Sequence, residues 1–165
     1  MPPASAWPGS MGGMELPGIN GFGHIDLTVT DVERSVRWWE EVLGFKLINT
    51  RDTADFKLRS VIHPCGFWIG LMAHSNPASD RFDERAVGLD HIALRVPDRA
   101  ALEAWAQHLD DRGVAHSGVQ EEQAGPVLVF RDPDNIQLEF WAFDPDLART
   151  GFNATPMSEA PPSAP

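Results

Sequence analysis

One stretch of this chain is written twice, and each copy sets a histidine at the same point of a strand-like segment. Gly21-Phe-Gly-His24-Ile-Asp-Leu-Thr-Val-Thr-Asp31 returns as Gly88-Leu-Asp-His91-Ile-Ala-Leu-Arg-Val-Pro-Asp98, with Gly, His, Ile, Leu, Val and Asp in register. Self-similarity of that length marks a duplicated supersecondary unit. Strand side chains alternate between faces, so Ile25, Leu27 and Val29 share an apolar face while His24, Asp26 and Thr28 share the other. The second copy divides in the same way, Ile92, Leu94 and Val96 against His91, Ala93 and Arg95. A lone strand histidine is ordinarily a hydrogen-bonded structural residue. Two at matched positions, each opposite an apolar face, point to a shared site.

The repeat continues beyond the strands. Asp31 and Asp98 are placed to cap helices that run to about Leu43 and Arg112 and stop at Gly44 and Gly113. Trp38 and Trp105 fall at equivalent points and are expected to pack helix against sheet, which leaves the adjacent Trp39 facing elsewhere, at an interface. Three short strands follow each helix: 45–50, 56–62 and 67–73, then 114–119, 127–131 and 136–142. His63-Pro-Cys-Gly66 and Asp132-Pro-Asp-Asn135 supply hairpin turns. The chain therefore reads as α+β, two βαβββ units that are each small for a domain and must share a sheet or pair with another chain.

The last strand bears on the chemistry. In Ile136-Gln-Leu-Glu-Phe-Trp141 the apolar residues alternate with Gln137, Glu139 and Trp141, which puts a carboxylate in mid-strand on the face opposite the core. A cation there would offset the cost of burying Glu139, and His24 and His91 are available to share it. Two imidazoles and one carboxylate leave about half of an octahedral shell open to substrate or water, as in non-haem iron centres.

With these units, the opening Gly-His-Ile strands and the ending Phe130-Arg-Asp-Pro-Asp-Asn-Ile-Gln-Leu-Glu139, the chain from about Gly21 to Phe143 resembles the vicinal oxygen chelate superfamily of glyoxalase I, extradiol dioxygenases, fosfomycin-resistance transferases, methylmalonyl-CoA epimerase and bleomycin-binding proteins. The resemblance implies a glyoxalase-like, barrel-shaped sheet built from the two modules, with a divalent metal (Fe2+, Mn2+, Zn2+ or Ni2+) on His24, His91 and Glu139. Aligning the modules on Gly44 with Gly113 and Pro64 with Pro133 sets Gly70 opposite Glu139. The fourth ligand place of glyoxalase-like members thus carries no donor, and a three-ligand centre is expected. His74, about 13 Å further along the strand, is a poor substitute. The chain also departs from particular subfamilies: it contains no tyrosine, and Asp26 stands where the fosfomycin transferases have threonine.

Further polar and aromatic residues share the proposed ligand face. Asp26 is the candidate general base, with a structural hydrogen bond as the plainer role. Trp68, Met72, Arg95, Gln137 and Trp141 are candidate substrate contacts, with a rim salt bridge the simpler role for Arg95. His63, His108 and His116 have turn or helix-surface settings, and Glu121 and Glu122 form a solvated pair. The reading is a metal-dependent enzyme, a lyase, isomerase or dioxygenase, that acts on a small oxygen-bearing molecule. Its competitor is a protein of the bleomycin-resistance type that sequesters a drug or metabolite.

Composition narrows the partners. A net charge of −11 over 165 residues argues against nucleic acid and anionic membranes. No apolar run is long enough to span a bilayer, no signal peptide is legible, and the single cysteine, Cys65, forms no internal disulfide, so a cytoplasmic protein is expected. One glyoxalase-like domain is expected over 20–147, with module one at 20–74, a linker at 75–87 and module two at 88–143. Residues 1–19, with Met11 and Met14 as alternative starts, and 148–165 read as tails. A homodimer is expected, because strand edges in such units need a partner.

Overall fold

The computed structural model describes residues 21–143, so the expectations for residues 1–19, Met11, Met14 and 148–165 lie outside the described residues. Module one runs β1 (Ile25–Thr28), α1 (Val32–Leu43), β2 (Lys46–Asp52), β3 (Phe56–Ile62) and β4 (Trp68–His74). Module two repeats the order as β5 (His91–Arg95), α2 (Arg99–Asp111), β6 (His116–Gln120), β7 (Val127–Arg131) and β8 (Gln137–Trp141).

Both helices begin where a side chain replaces missing backbone acceptors. Asp31 accepts from the N–H groups of Glu33 and Arg34, and Asp98 from that of Ala101. Helix α1 ends where Gly44 takes φ 74°, a left-handed conformation that costs glycine little. The buried stripe of α1, Val32, Ser35, Val36, Trp39, Val42 and Leu43, follows helical spacing and packs on β3, β4 and β2.

The two tryptophans of α1 exchange the roles read from the sequence. Trp39 is wholly buried, edge-on to Phe45, while Trp38 is half-buried and reaches Phe130 of module two. Neighbouring helix positions differ by about 100°, and the stripe that faces the sheet is centred on Trp39. The expected partner of Trp39, an interface, therefore belongs to Trp38. Trp105 does pack helix on sheet, stacked 4.4 Å from Phe140.

The strands form two four-stranded sheets, in the orders β1-β4-β3-β2 and β5-β8-β7-β6. The single closed barrel implied by the resemblance is not formed among the described residues, because no strand of one sheet hydrogen-bonds to the other. Instead the modules meet through their helices and one turn. His108 Nε2 lies 2.8 Å from the Val42 carbonyl oxygen, and Arg112 Nε donates to that of Glu41. Both sheets press their apolar faces into one core with the helices, which leaves their other faces outward.

The turn at 132–135 makes the closest tie. Buried Asp134 accepts from Thr30 N at 3.1 Å, Thr30 Oγ1 at 2.5 Å and Arg34 Nη2 at 2.7 Å, and its second oxygen accepts from Ser35 Oγ at 3.3 Å. Asp132 Oδ1 accepts from the backbone N–H groups of Asp134 and Ile136, which holds Asn135 at φ 72°. Asp132 Oδ2 is buried with no hydrogen-bond partner.

Two predictions follow from this turn. Asp134→Ala removes the acceptor for four donors contributed by module one and should lower unfolding free energy by about 2–4 kcal/mol, read from the urea midpoint. Burial pushes the Asp132 carboxyl up to about 6 from 3.8, with Asp134 adding to the rise and the two backbone N–H groups opposing it. The folded state thus binds this proton more tightly than the unfolded chain, so its contribution is full below about pH 4 and is lost as pH rises through about 6. Asp132→Asn keeps the oxygen acceptor and should flatten stability between those pH values, by up to about 3 kcal/mol in urea titrations across pH 4–7.

Candidate metal centre

Parallel pairing of the first and last strand in each module sets out the candidate ligands. In module two His91 lies across from Gln137 and Ala93 across from Glu139, so His91 and Glu139 sit diagonally on one face. In module one Asp26 lies across from Gly70, and the ring of His24, just before β1, lies tilted against that of Trp68 with centroids 5.5 Å apart. Leu27, Val29, Ile92 and Val96 are buried on the opposite face, as the alternation requires.

His91 and Glu139 have the character of ligands. His91 Nδ1 is 2.6 Å from Asp90 Oδ1, and since a carboxylate accepts, that nitrogen is the donor, which leaves Nε2 as the nitrogen to face a cation. Asp90 was not foreseen from sequence, although the repeat shows it: an aspartate precedes His91 where Gly23 precedes His24. Glu139 is half-buried, and among the described residues no side chain or backbone group hydrogen-bonds to its carboxylate. Burial raises its pKa, the charge of His91 lowers it and Glu122 raises it again. A carboxylate so placed, beside an imidazole whose Nε2 is not taken by Asp90, fits a divalent cation.

Within one chain, however, the three residues do not assemble. Among the described residues no three His, Cys, Asp or Glu side chains are grouped to hold a metal ion. His24 stands with Asp26 on the face of one sheet, Nε2 to Oδ1 3.9 Å, and His91 stands with Glu139 on the other. Each sheet also ends on the strand that its histidine opens or immediately precedes, since β1 pairs only with β4 and β5 only with β8 among the described residues. A cavity of about 510 Å³ runs beside β5, lined by Ala93, Leu94, Val96, Phe45, Phe67 and Trp105 among others.

The remaining candidates divide between the two faces. Met72 pairs with Thr28 and, like Trp68, lies on β4. Gln137 accepts from Arg131 Nη2 at 2.9 Å, and Trp141 Nε1 donates to the Ala124 carbonyl oxygen at 3.2 Å, so both are held in place. Arg95 forms no rim salt bridge among the described residues. Its guanidinium lies over the Phe143 ring instead, 5.5 Å from the centroid. His74 is exposed at the far end of β4, beside Phe56. His63, His108 and His116 all take part in local or inter-helix hydrogen bonds. Glu121 is not simply solvated but pairs with Arg99.

Residues 21–140 match the family model described as Glyoxalase/Bleomycin resistance protein/Dioxygenase superfamily, and the chain belongs to that superfamily. A solved glyoxylase/bleomycin resistance protein/dioxygenase domain from Frankia sp. EAN1pec shares 33% identity over 77% of this chain and 100% of its own, with a TM-score of 0.72. Among curated relatives, catechol-2,3-dioxygenase of Bacillus subtilis is 29% identical over 75% of this chain, which spans only 42% of that enzyme. Lactoylglutathione lyase of Haemophilus influenzae is 29% identical over 71% of this chain and 88% of its own length.

Because burial disfavours the ionised form of Glu139, the metal-free protein should not need that charge to fold. Glu139→Gln, melted in chelator at neutral pH, is expected to unfold at or above the wild-type temperature. A marked fall would assign the carboxylate a structural role.

Proposed function

We propose that this chain is a metal-dependent enzyme acting on a small organic molecule that presents oxygen donors, with its divalent ion held by His24 of one copy and by His91 and Glu139 of a second copy. The observation that carries this reading is the division of the donors between two outward sheet faces, each ending on the strand beside its histidine. Sheet edges of that kind accept another strand system, and a two-fold homodimer would bring the β1 edge of each copy to the β5 edge of the other. The names of the relatives, a catechol-2,3-dioxygenase and a lactoylglutathione lyase, support enzymatic turnover on small oxygen-bearing substrates.

The chain's own residues would divide the work. Asp90 fixes the His91 ring so that Nε2 is presented, and Glu139 contributes negative charge in a place where only a cation compensates it. Trp68 and Met72 would wall the substrate from module one, and Gln137 and Trp141, held by Arg131 and Ala124, from module two. Arg95, over Phe143, would border the same opening. When bound, the ion would supply stabilisation of developing enolate or oxyanion charge.

Elemental analysis of protein purified anaerobically without added metal reads the ion directly, and Fe2+, Mn2+, Zn2+ and Ni2+ are the ions in question. His91→Ala and Glu139→Ala should lose it, and Asp90→Ala should weaken it about 10–100-fold. Mixing unfolded His24→Ala and Glu139→Ala chains and refolding them together should restore about a quarter of wild-type sites, because each heterodimer regains one intact centre. Wild-type protein that binds a small molecule tightly with no metal, unaffected by Glu139→Ala, would replace the enzyme with a sequestering protein. A monomer by light scattering, with full metal content, would place the centre within one chain.

A further inference from the structure

We infer that Asp26 is a metal ligand, the module-one counterpart of Glu139 carried on the first strand of its parallel pair instead of the last. The inference rests on the metal-centre reading above and changes the donor set that reading contains. Alignment of the modules matches Gly70 with Glu139 and leaves module one without a carboxylate on β4. The register shows where one is found: Asp26 on β1 lies directly across from Gly70, as Ala93 on β5 lies across from Glu139.

The space above Gly70 is not vacant. A Cβ at that position would fall 1.9 Å from Asp26 Oδ1 and 2.8 Å from its Cγ, closer than any real contact. The Asp26 carboxylate thus lies where a side chain on residue 70 would leave the backbone. Each parallel pair holds one carboxylate and one residue small enough to admit it, and the two modules make opposite assignments: Asp26 with Gly70, and Glu139 with Ala93. Glycine at 70 is explained by this close approach and not by its φ, which is ordinary.

Nothing else in the described residues employs Asp26. Its carboxylate accepts no hydrogen bond there, its side chain is 45% exposed, and its one ionisable partner within 4.0 Å is His24, Nε2 to Oδ1 3.9 Å. Ligand atoms about 2.1 Å from one octahedral ion are about 3.0 Å apart when adjacent and about 4.2 Å when opposite. A separation of 3.9 Å falls between these, so a small side-chain rotation lets both bind one ion. Each module then contributes one imidazole and one carboxylate. The assembled centre has two histidines and two carboxylates, whose charge balances a divalent cation and which leave two octahedral positions, enough for a bidentate substrate. Asp26 bound to the ion is not free to serve as the general base.

Titration of the full-length protein with Co2+, with far-UV circular dichroism as a fold control, tests this. Asp26→Ala should weaken Co2+ binding at least about 100-fold and change the visible d–d spectrum at saturating Co2+, and Asp26→Asn serves if the alanine variant does not fold. Gly70→Ala should also weaken binding, because its Cβ displaces the carboxylate. Asp26→Ala combined with Gly70→Glu should recover most of the affinity, the donor now entering from β4. Co2+ affinity of Asp26→Ala within about threefold of wild type, or a fall in affinity with an unchanged spectrum, overturns the proposal, the second result marking a residue that only positions His24. In either case loss of binding in His24→Ala and His91→Ala leaves the metal centre standing. Unchanged Co2+ binding in His24→Ala, His91→Ala and Glu139→Ala alike removes the centre itself, and this inference with it.

Discussion

The parallel pairing of first and last strands is the interaction on which the rest of each module depends. Parallel neighbours cannot be joined by a tight turn, so the chain must leave β1, cross the sheet face as a helix and return through two antiparallel strands before β4 closes beside β1. That path puts α1 and α2 on the apolar faces and frees the opposite faces for chemistry. It also sets the register that decides which side chains of the two strands meet: His91 with Gln137, Ala93 with Glu139, Asp26 with Gly70.

Pairs of unequal size follow from that register. Strands in a sheet are close enough that two large side chains directly across from one another compete for the same space above the sheet. The Asp26 carboxylate that leans over residue 70 therefore requires glycine there, and in module two Glu139 lies across from the small Ala93. The two modules share this pairing of a carboxylate with a small residue and place the acid on opposite strands of the pair.

The modules are held together by polar contacts as well as by apolar ones. Asp134 gathers Thr30, Arg34 and Ser35 beneath the turn after β7, and the helix ends exchange hydrogen bonds with backbone carbonyls. Among the described residues the β1 and β5 edges stay unpaired with one another, which is the physical ground for looking to a second copy.

The elements were legible in the sequence because their causes are local. The repeat, the two capping aspartates, the stopping glycines and the alternation around His24, His91 and Glu139 each act over a few residues, and the structure reproduces them with ends shifted by a residue or two. Trp38 and Trp39 show the limit of local reading: both fit a helix, and only the direction from which the sheet approaches decides which is buried. Asp90 and the Asp26–Gly70 contact were written in the repeat but carried no signal until strand register gave them neighbours. The sequence by itself determined two βαβββ units with matched donors on their polar faces, since periodicity and capping need no distant partner. Only the tertiary structure decided that the sheets remain separate, that Asp134 locks the modules, and that Asp26 fills the place above Gly70, because each depends on residues far apart in the chain meeting at one point.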